Sequence, residues 1–146
     1  MKKEMEQENK DLLRLKFEKE RKRLHDEREA RIREHWETLG KFENPYDVPA
    51  IPRVEKNEYR EFYVPKLIKA GAIPKKDLVH GNCYLGNHRN CTVARWNAEK
   101  NVFEYWRHKF GVFLDVCNHF EDDDGYALFV PIKEVDPEEF EKTKEI

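Results

Sequence analysis

The stretch CTVARWNAEKNVFEYWRHKFGVFLDVC, residues 91–117, decides the fold. It reads as three short strands, 91–96, 102–110 and 112–117. β-branched and aromatic runs are broken at 97–101 and again at Gly111. Working outward, residues 78–85 read as an earlier strand, followed by a turn over 86–90. Downstream, an acidic loop over 118–125 ends in Asp124-Gly125, a hairpin-turn signal. Residues 126–132 then alternate cleanly, with Tyr126, Leu128, Val130 and Ile132 on one face. Five short strands joined by brief turns predict an antiparallel, strongly bent sheet or a small SH3-like β-barrel.

Upstream of this region the chemistry changes near Gly40. Residues 1–39 contain no Gly or Pro and are dominated by Lys, Arg, Glu and Leu, which predicts one long charged helix. Glu6 with Lys10, Glu18 with Lys22, Glu27 with Arg31 and Glu29 with Arg33 have the favourable i,i+4 order, at ~0.2–0.5 kcal/mol each. The apolar positions are sparse. A heptad with Leu13 at d puts Phe17 and Leu24 at a, but Glu20, Glu27 and Glu34 then fall at d, a poor dimer seam. Residues 41–54 hold three prolines and read as an extended linker across the domain surface. Two short helices are predicted at 55–63 and 65–70, with Pro65 at a first helical position and Gly71 as the stop. The predicted organisation is therefore a charged arm (1–40), a linker (41–54), a small α+β domain (55–135) and a charged, partly helical C-terminal tail (136–146).

Composition sets limits on function. The chain has 146 residues, 38% of them hydrophobic and 40% charged, against ~25% charged in ordinary globular domains. Net charge is −2, and the first 40 residues carry 12 basic against 11 acidic side chains. No part has the basic excess of a protein that coats nucleic acid. Three cysteines without framework spacing predict reduced thiols and a cytoplasmic location. No run approaches the ~20 apolar residues of a membrane helix.

The run HGNCYLGNHRNCTVARWNAEKNVFEYWRHKFG (80–111), followed by EDDDGYALFVP (121–131), resembles segments of uncharacterised small proteins of phage and bacterial genomes. The resemblance covers about residues 74–133 and leaves the arm unmatched. It brings no catalytic or binding residues with it, and implies a phage-related accessory protein.

Four constellations carry possible chemistry. His80, Cys83, His88 and Cys91 supply two imidazoles and two thiols, a donor set that suits tetrahedral zinc. Ligands three apart on an extended strand point to opposite faces, so zinc requires the backbone to bend at Gly81 and Asn90. Glu121, Asp122, Asp123 and Asp124 could attract a hard cation but lack the alternating spacing of a calcium loop. Cys117 and His119 share a strand face as nucleophile and base would, without a third orienting group. The fourth is the aromatic and basic surface of residues 102–110. If Val102, Trp106 and Phe110 fill the core, Tyr105, Arg107 and Lys109 face out, with Arg95 on the neighbouring strand.

The reading is a non-enzymatic binding module without a cofactor. Its expected partner is another protein, or a second copy of itself. Leu13, Phe17 and Leu24 are the expected contacts of the arm; Arg95, Tyr105, Arg107 and Lys109 are those of the β surface. The alternatives are RNA or single-stranded DNA binding by the same aromatic and basic residues, and zinc binding by the His/Cys set.

Overall fold

The computed structural model describes residues 2–122 and 128–145. The architecture is α+β, and the chain divides into two units, one ending at Leu39 and the other beginning at Gly40.

The first unit is a single helix, α1 (Lys2–Glu37), as the Gly- and Pro-free composition requires. Exposed ion pairs run along it. Arg23 meets both Glu20 and Glu27, His25 approaches Glu29 at 3.4 Å, and Arg33 lies 4.0 Å from Glu37. These differ from the pairs read off the sequence, because each long side chain has several acceptors three or four residues away. Leu13, Phe17 and Leu24 are 53%, 65% and 52% exposed.

In the second unit the proline-containing segment is less detached than expected. The Phe42 N–H donates to the Ala70 carbonyl at 2.8 Å, and Pro45 and Val48 are buried. Pro45–Asp47 forms a 3-10 turn capped by Asn44, whose side chain accepts from the Tyr46 N–H at 3.0 Å. The two expected short helices are one continuous element. α2 (Lys56–Glu58) runs through a π turn (Tyr59–Tyr63) into α3 (Val64–Ala70). Pro65 lacks an N–H and its ring crowds the carbonyl four residues back. Widening the preceding turn, so that the Val64 N–H reaches the Tyr59 carbonyl, lets the helix pass through it.

The sheet comprises β1 (Cys83–His88), β2 (Cys91–Asn97), β3 (Val102–His108), β4 (Val112–His119) and β5 (Leu128–Val135). β1 starts later than expected because a 3-10 turn (Lys75–Asp77) and Gly81, at φ +83°, occupy the preceding chain. Consecutive strands pair antiparallel from β1 to β4, and β1 also pairs antiparallel with β5. β4 and β5 pair in parallel, at Asn118 with Leu128 and His119 with Phe129. This corrects the all-antiparallel expectation, and the reason is arithmetic. Around a ring of five strands, directions cannot alternate at every step, so one pair must run parallel. Asp123, Asp124, Gly125 and Tyr126, read from sequence as loop and strand start, lie outside the described residues.

The core beneath the sheet is aromatic. Tyr84, Trp96, Phe103, Tyr105 and Phe129 pack with Ala94 and Cys117. At Gly86 the strands come so close that a Cβ would lie 2.3 Å from the Val130 carbonyl oxygen and 2.7 Å from the Phe129 ring. The register of β1 against β5 shifts at the same point. The expected charged tail is tied to this unit. α4 (Pro137–Lys142) buries Phe140 against Cys83 and Val93. Among the described residues no helix is long and apolar enough to cross a membrane.

Candidate functional site

β3 carries aromatic residues on both faces, so its pattern alone leaves open which face turns inward. Register decides it. Phe103 lies opposite Trp96 on one side and Cys117 on the other, and the Phe103 and Tyr105 side chains are buried. Val102 and Trp106 are half-buried, and Phe110 is fully exposed. Against expectation the Tyr105 face therefore turns inward and Phe110 is left outside, while Trp106 still packs on the other face, beside Phe140.

That orientation reassigns the expected β-surface residues. The Tyr105 hydroxyl donates to Asp115 Oδ2 at 3.2 Å and accepts from the Asn90 side-chain amide at 3.4 Å. Arg107 forms an ion pair with the same Asp115 oxygen at 3.0 Å. Burial pushes the Asp115 carboxyl up, but the Val116 N–H, Arg107 and Tyr105 together outweigh it and hold the group below its ordinary value. Arg95 pairs with Glu104, its direct cross-strand neighbour, at 3.2 Å and lies over the Phe140 ring at 5.0 Å. Lys109 stays exposed at the hairpin turn, where its N–H donates to the Gly111 carbonyl at 2.9 Å.

What the β surface exposes instead is the turn and the first half of β4. Phe110, Val112, Phe113, Leu114 and Val116 are 102%, 46%, 43%, 39% and 52% exposed. A single exposed apolar side chain means little, but five within seven consecutive residues form a patch. Phe110 also sits at φ +54°, in the left-handed region that large side chains avoid, with Gly111 beside it at +121°. A strained backbone that presents a fully solvated phenyl ring has no packing justification of its own. The signal was present in the sequence as VFLDV, apolar on both strand faces. The second face of the sheet is covered by Phe140 with Cys83, Val93 and Trp106, a cluster that includes no β4 residue, so Val112, Leu114 and Val116 are left exposed.

The His/Cys set is dispersed. Cys83 packs with Val93 and Phe140, whereas Cys91 packs on the central aromatic cluster. A hydrogen bond with Cys117, then burial, pushes the Cys91 thiol up; burial does the same to Cys83. Metal ligation needs thiolates, which these surroundings disfavour. His80 Nδ1 accepts from the Ala98 N–H at 3.0 Å, and His88 Nδ1 from the Asn90 N–H at 3.2 Å. Among the described residues no group of three or more His, Cys, Asp or Glu is placed to hold a metal ion.

The Cys117 and His119 pair is similarly engaged elsewhere. His119 Nε2 lies 2.9 Å from the Ile73 carbonyl, and its Nδ1 accepts from the Glu121 N–H at 3.1 Å. That pattern assigns the proton of the neutral ring to Nε2, and burial shifts the imidazole below its ordinary value. In the acidic loop, Glu121 accepts the Lys75 N–H at 2.7 Å and Asp122 pairs with the Lys75 ammonium. Asp123 and Asp124 are outside the described residues. A groove of about 340 Å³ runs between the Val48 to Ile51 segment and β5, with His88 and Arg89 at its wall.

Compared with protein-family models, curated proteins and solved structures, the chain matches none.

Proposed function

We propose that this chain is a non-enzymatic binding module that docks on another protein through the β3–β4 hairpin. The observation that carries the reading is the strip Phe110, Val112, Phe113, Leu114 and Val116, solvent-exposed around a strained turn. Aromatic and aliphatic side chains of this kind anchor protein interfaces once water is excluded from around them. The exposed Leu13, Phe17 and Leu24 of α1 supply a second apolar surface, at the spacing used by helices that enter a partner's groove. The finer fold reading, a small SH3-like barrel, is supported by the ring of pairings from β1 through β5 and back to β1. The phage-related context rests on the resemblance over residues 74–133 alone.

Protein is favoured over nucleic acid because Arg95 and Arg107 are already paired with Glu104 and Asp115, leaving little unopposed positive charge on this face. The test is capture of partners from the native host by tagged wild-type chain and by Phe110→Ser, with and without nuclease. Loss of a salt-tolerant, nuclease-resistant partner in the variant is the expected result. Capture that collapses with nuclease, and is indifferent to Phe110→Ser, would transfer the function to RNA or single-stranded DNA.

A further inference from the structure

We infer that Cys91 and Cys117 are a modification site, joined by an intramolecular disulfide when the chain folds in the presence of glutathione disulfide.

The fold treats its three cysteines differently. Cys83, on β1, packs with Val93 and Phe140 beneath α4. Cys117 belongs to the central aromatic cluster, and Cys91 packs against that same cluster. There the Cys91 thiol is hydrogen-bonded to Cys117. The two residues come from strands that are not neighbours, since β3 pairs with β2 on one side and with β4 on the other. Their meeting is a product of the ring of strand pairings. Strands in such a ring are tilted and staggered, so a side chain pointing inward meets partners displaced along the next strands rather than those directly opposite.

One of the two is placed to move. Cys91 is the first residue of β2, directly after the turn at Arg89 and Asn90 and beside the register shift in the β1–β2 pairing. A strand end next to an irregular register yields more readily than the interior of a ladder, where Cys117 is held opposite Phe103. The bond would close a loop that contains the whole of β3, and a crosslink of that span restricts the unfolded chain far more than the folded one.

Burial decides when the bond forms. The hydrogen bond with Cys117, then burial, hold the Cys91 thiol protonated, and only a thiolate attacks a disulfide, so exchange in the folded chain is slow. Before the aromatic cluster closes, water and glutathione reach both sulfurs. One cysteine thiolate attacks a sulfur of glutathione disulfide, leaving a mixed disulfide and releasing one glutathione. As the strands assemble, the other cysteine attacks the protein sulfur of that mixed disulfide and releases the second glutathione. Two cysteine thiols are thereby oxidised to one disulfide. One glutathione disulfide is reduced to two thiols, which take up the two protons.

Refolding of the full chain from urea in a buffer of glutathione and glutathione disulfide, followed by alkylation and peptide mapping, tests this. Trypsin, cutting after Lys and Arg, leaves each cysteine on its own peptide, 77–89, 90–95 and 110–133. The expected product joins 90–95 to 110–133 and carries an alkylated Cys83. Its urea midpoint should lie above that of the same protein after reduction. Cys83→Ala should keep the bond, and Cys91→Ala should lose it without pairing Cys117 to Cys83. Prolonged diamide treatment of chain that was never unfolded, mapped in the same way, should give the same linked pair and covers a chain that does not refold. Alkylation of all three cysteines under both treatments, or a mixture in which Cys83 pairs as often as Cys91, overturns the proposal. So does a Cys91–Cys117 bond that lowers the urea midpoint, because a fold strained by the bond is not arranged to carry it.

Discussion

Arg107 and Asp115 form a 3.0 Å ion pair across the β3–β4 hairpin, and Asp115 also holds the Tyr105 hydroxyl. One carboxylate thus organises a cation, a buried phenol and the neighbouring Val116 amide. Asp115→Ala should cost about 1–3 kcal/mol, because it leaves the Tyr105 hydroxyl without its acceptor in a buried setting. Arg107→Ala should cost less, about 0.2–1 kcal/mol, since the pair is partly solvated. Urea unfolding of both single variants and the double variant measures the coupling. Equal costs for the two single changes would show that the buried phenol is not what matters.

The second prediction concerns acid. Burial, reinforced by Arg89 and Arg107 and opposed by Asp115, pushes the His88 pKa down to about 4. A folded-state value below the unfolded one means that the unfolded chain binds the proton first. Stability is complete above the unfolded pKa near 6.5 and is lost as pH falls from there toward 4. The loss attributable to this ring is about 2 kcal/mol between pH 7 and pH 5. His119, also shifted down by burial, acts in the same direction. Urea midpoints of wild type and His88→Gln at the two pH values check the point. The variant should lose markedly less, and an identical decline would assign the acid sensitivity to other groups.

Gly86 should tolerate no side chain. A Cβ would meet the Val130 carbonyl oxygen at 2.3 Å, and that oxygen is backbone rather than the end of a flexible chain. Gly86→Ala should destabilise by about 1–3 kcal/mol or more through overpacking. Thermal unfolding of the purified variant is the measurement, and a midpoint within a degree or two of wild type would contradict the close approach of β1 to β5.

Phe110 should separate stability from binding. Its φ of +54° carries a cost of about 1–2 kcal/mol for an ordinary residue, which Asn tolerates better, and its fully exposed ring contributes no packing. Phe110→Asn should leave stability unchanged or raise it by about 1 kcal/mol while weakening partner capture. If stability falls by more than that, the ring has a structural role that its exposure conceals.

The strand ladder was largely legible because β-branched and aromatic runs, broken at 97–101 and Gly111, carry the period-two signal locally. The arm was legible for the same reason, since a long charged segment without Gly or Pro has few alternatives to helix. Face assignment was not. β3 reads VFEYWRH, with aromatics at 103, 105 and 106, and nothing within the strand says which set meets Trp96 and Phe129. A one-residue change of parity exchanges the two faces of a strand, so the expected Tyr105 surface turned inward, while Trp106 on the other face packs beside Phe140 and Phe110 is exposed. The role of the tail was also hidden, because one phenylalanine among charges at 136–146 gives no hint that β1 and β2 offer it a pocket.

Sequence by itself determined the long charged helix, the positions of five short strands and the absence of a strongly basic body. These depend on neighbours close in the chain. Tertiary structure alone decided that Tyr105 is core, that Arg95 and Arg107 are neutralised across strands, and that β4 presents an exposed apolar strip. Each of those depends on register between strands that lie near one another in space, a relation no local run of residues encodes.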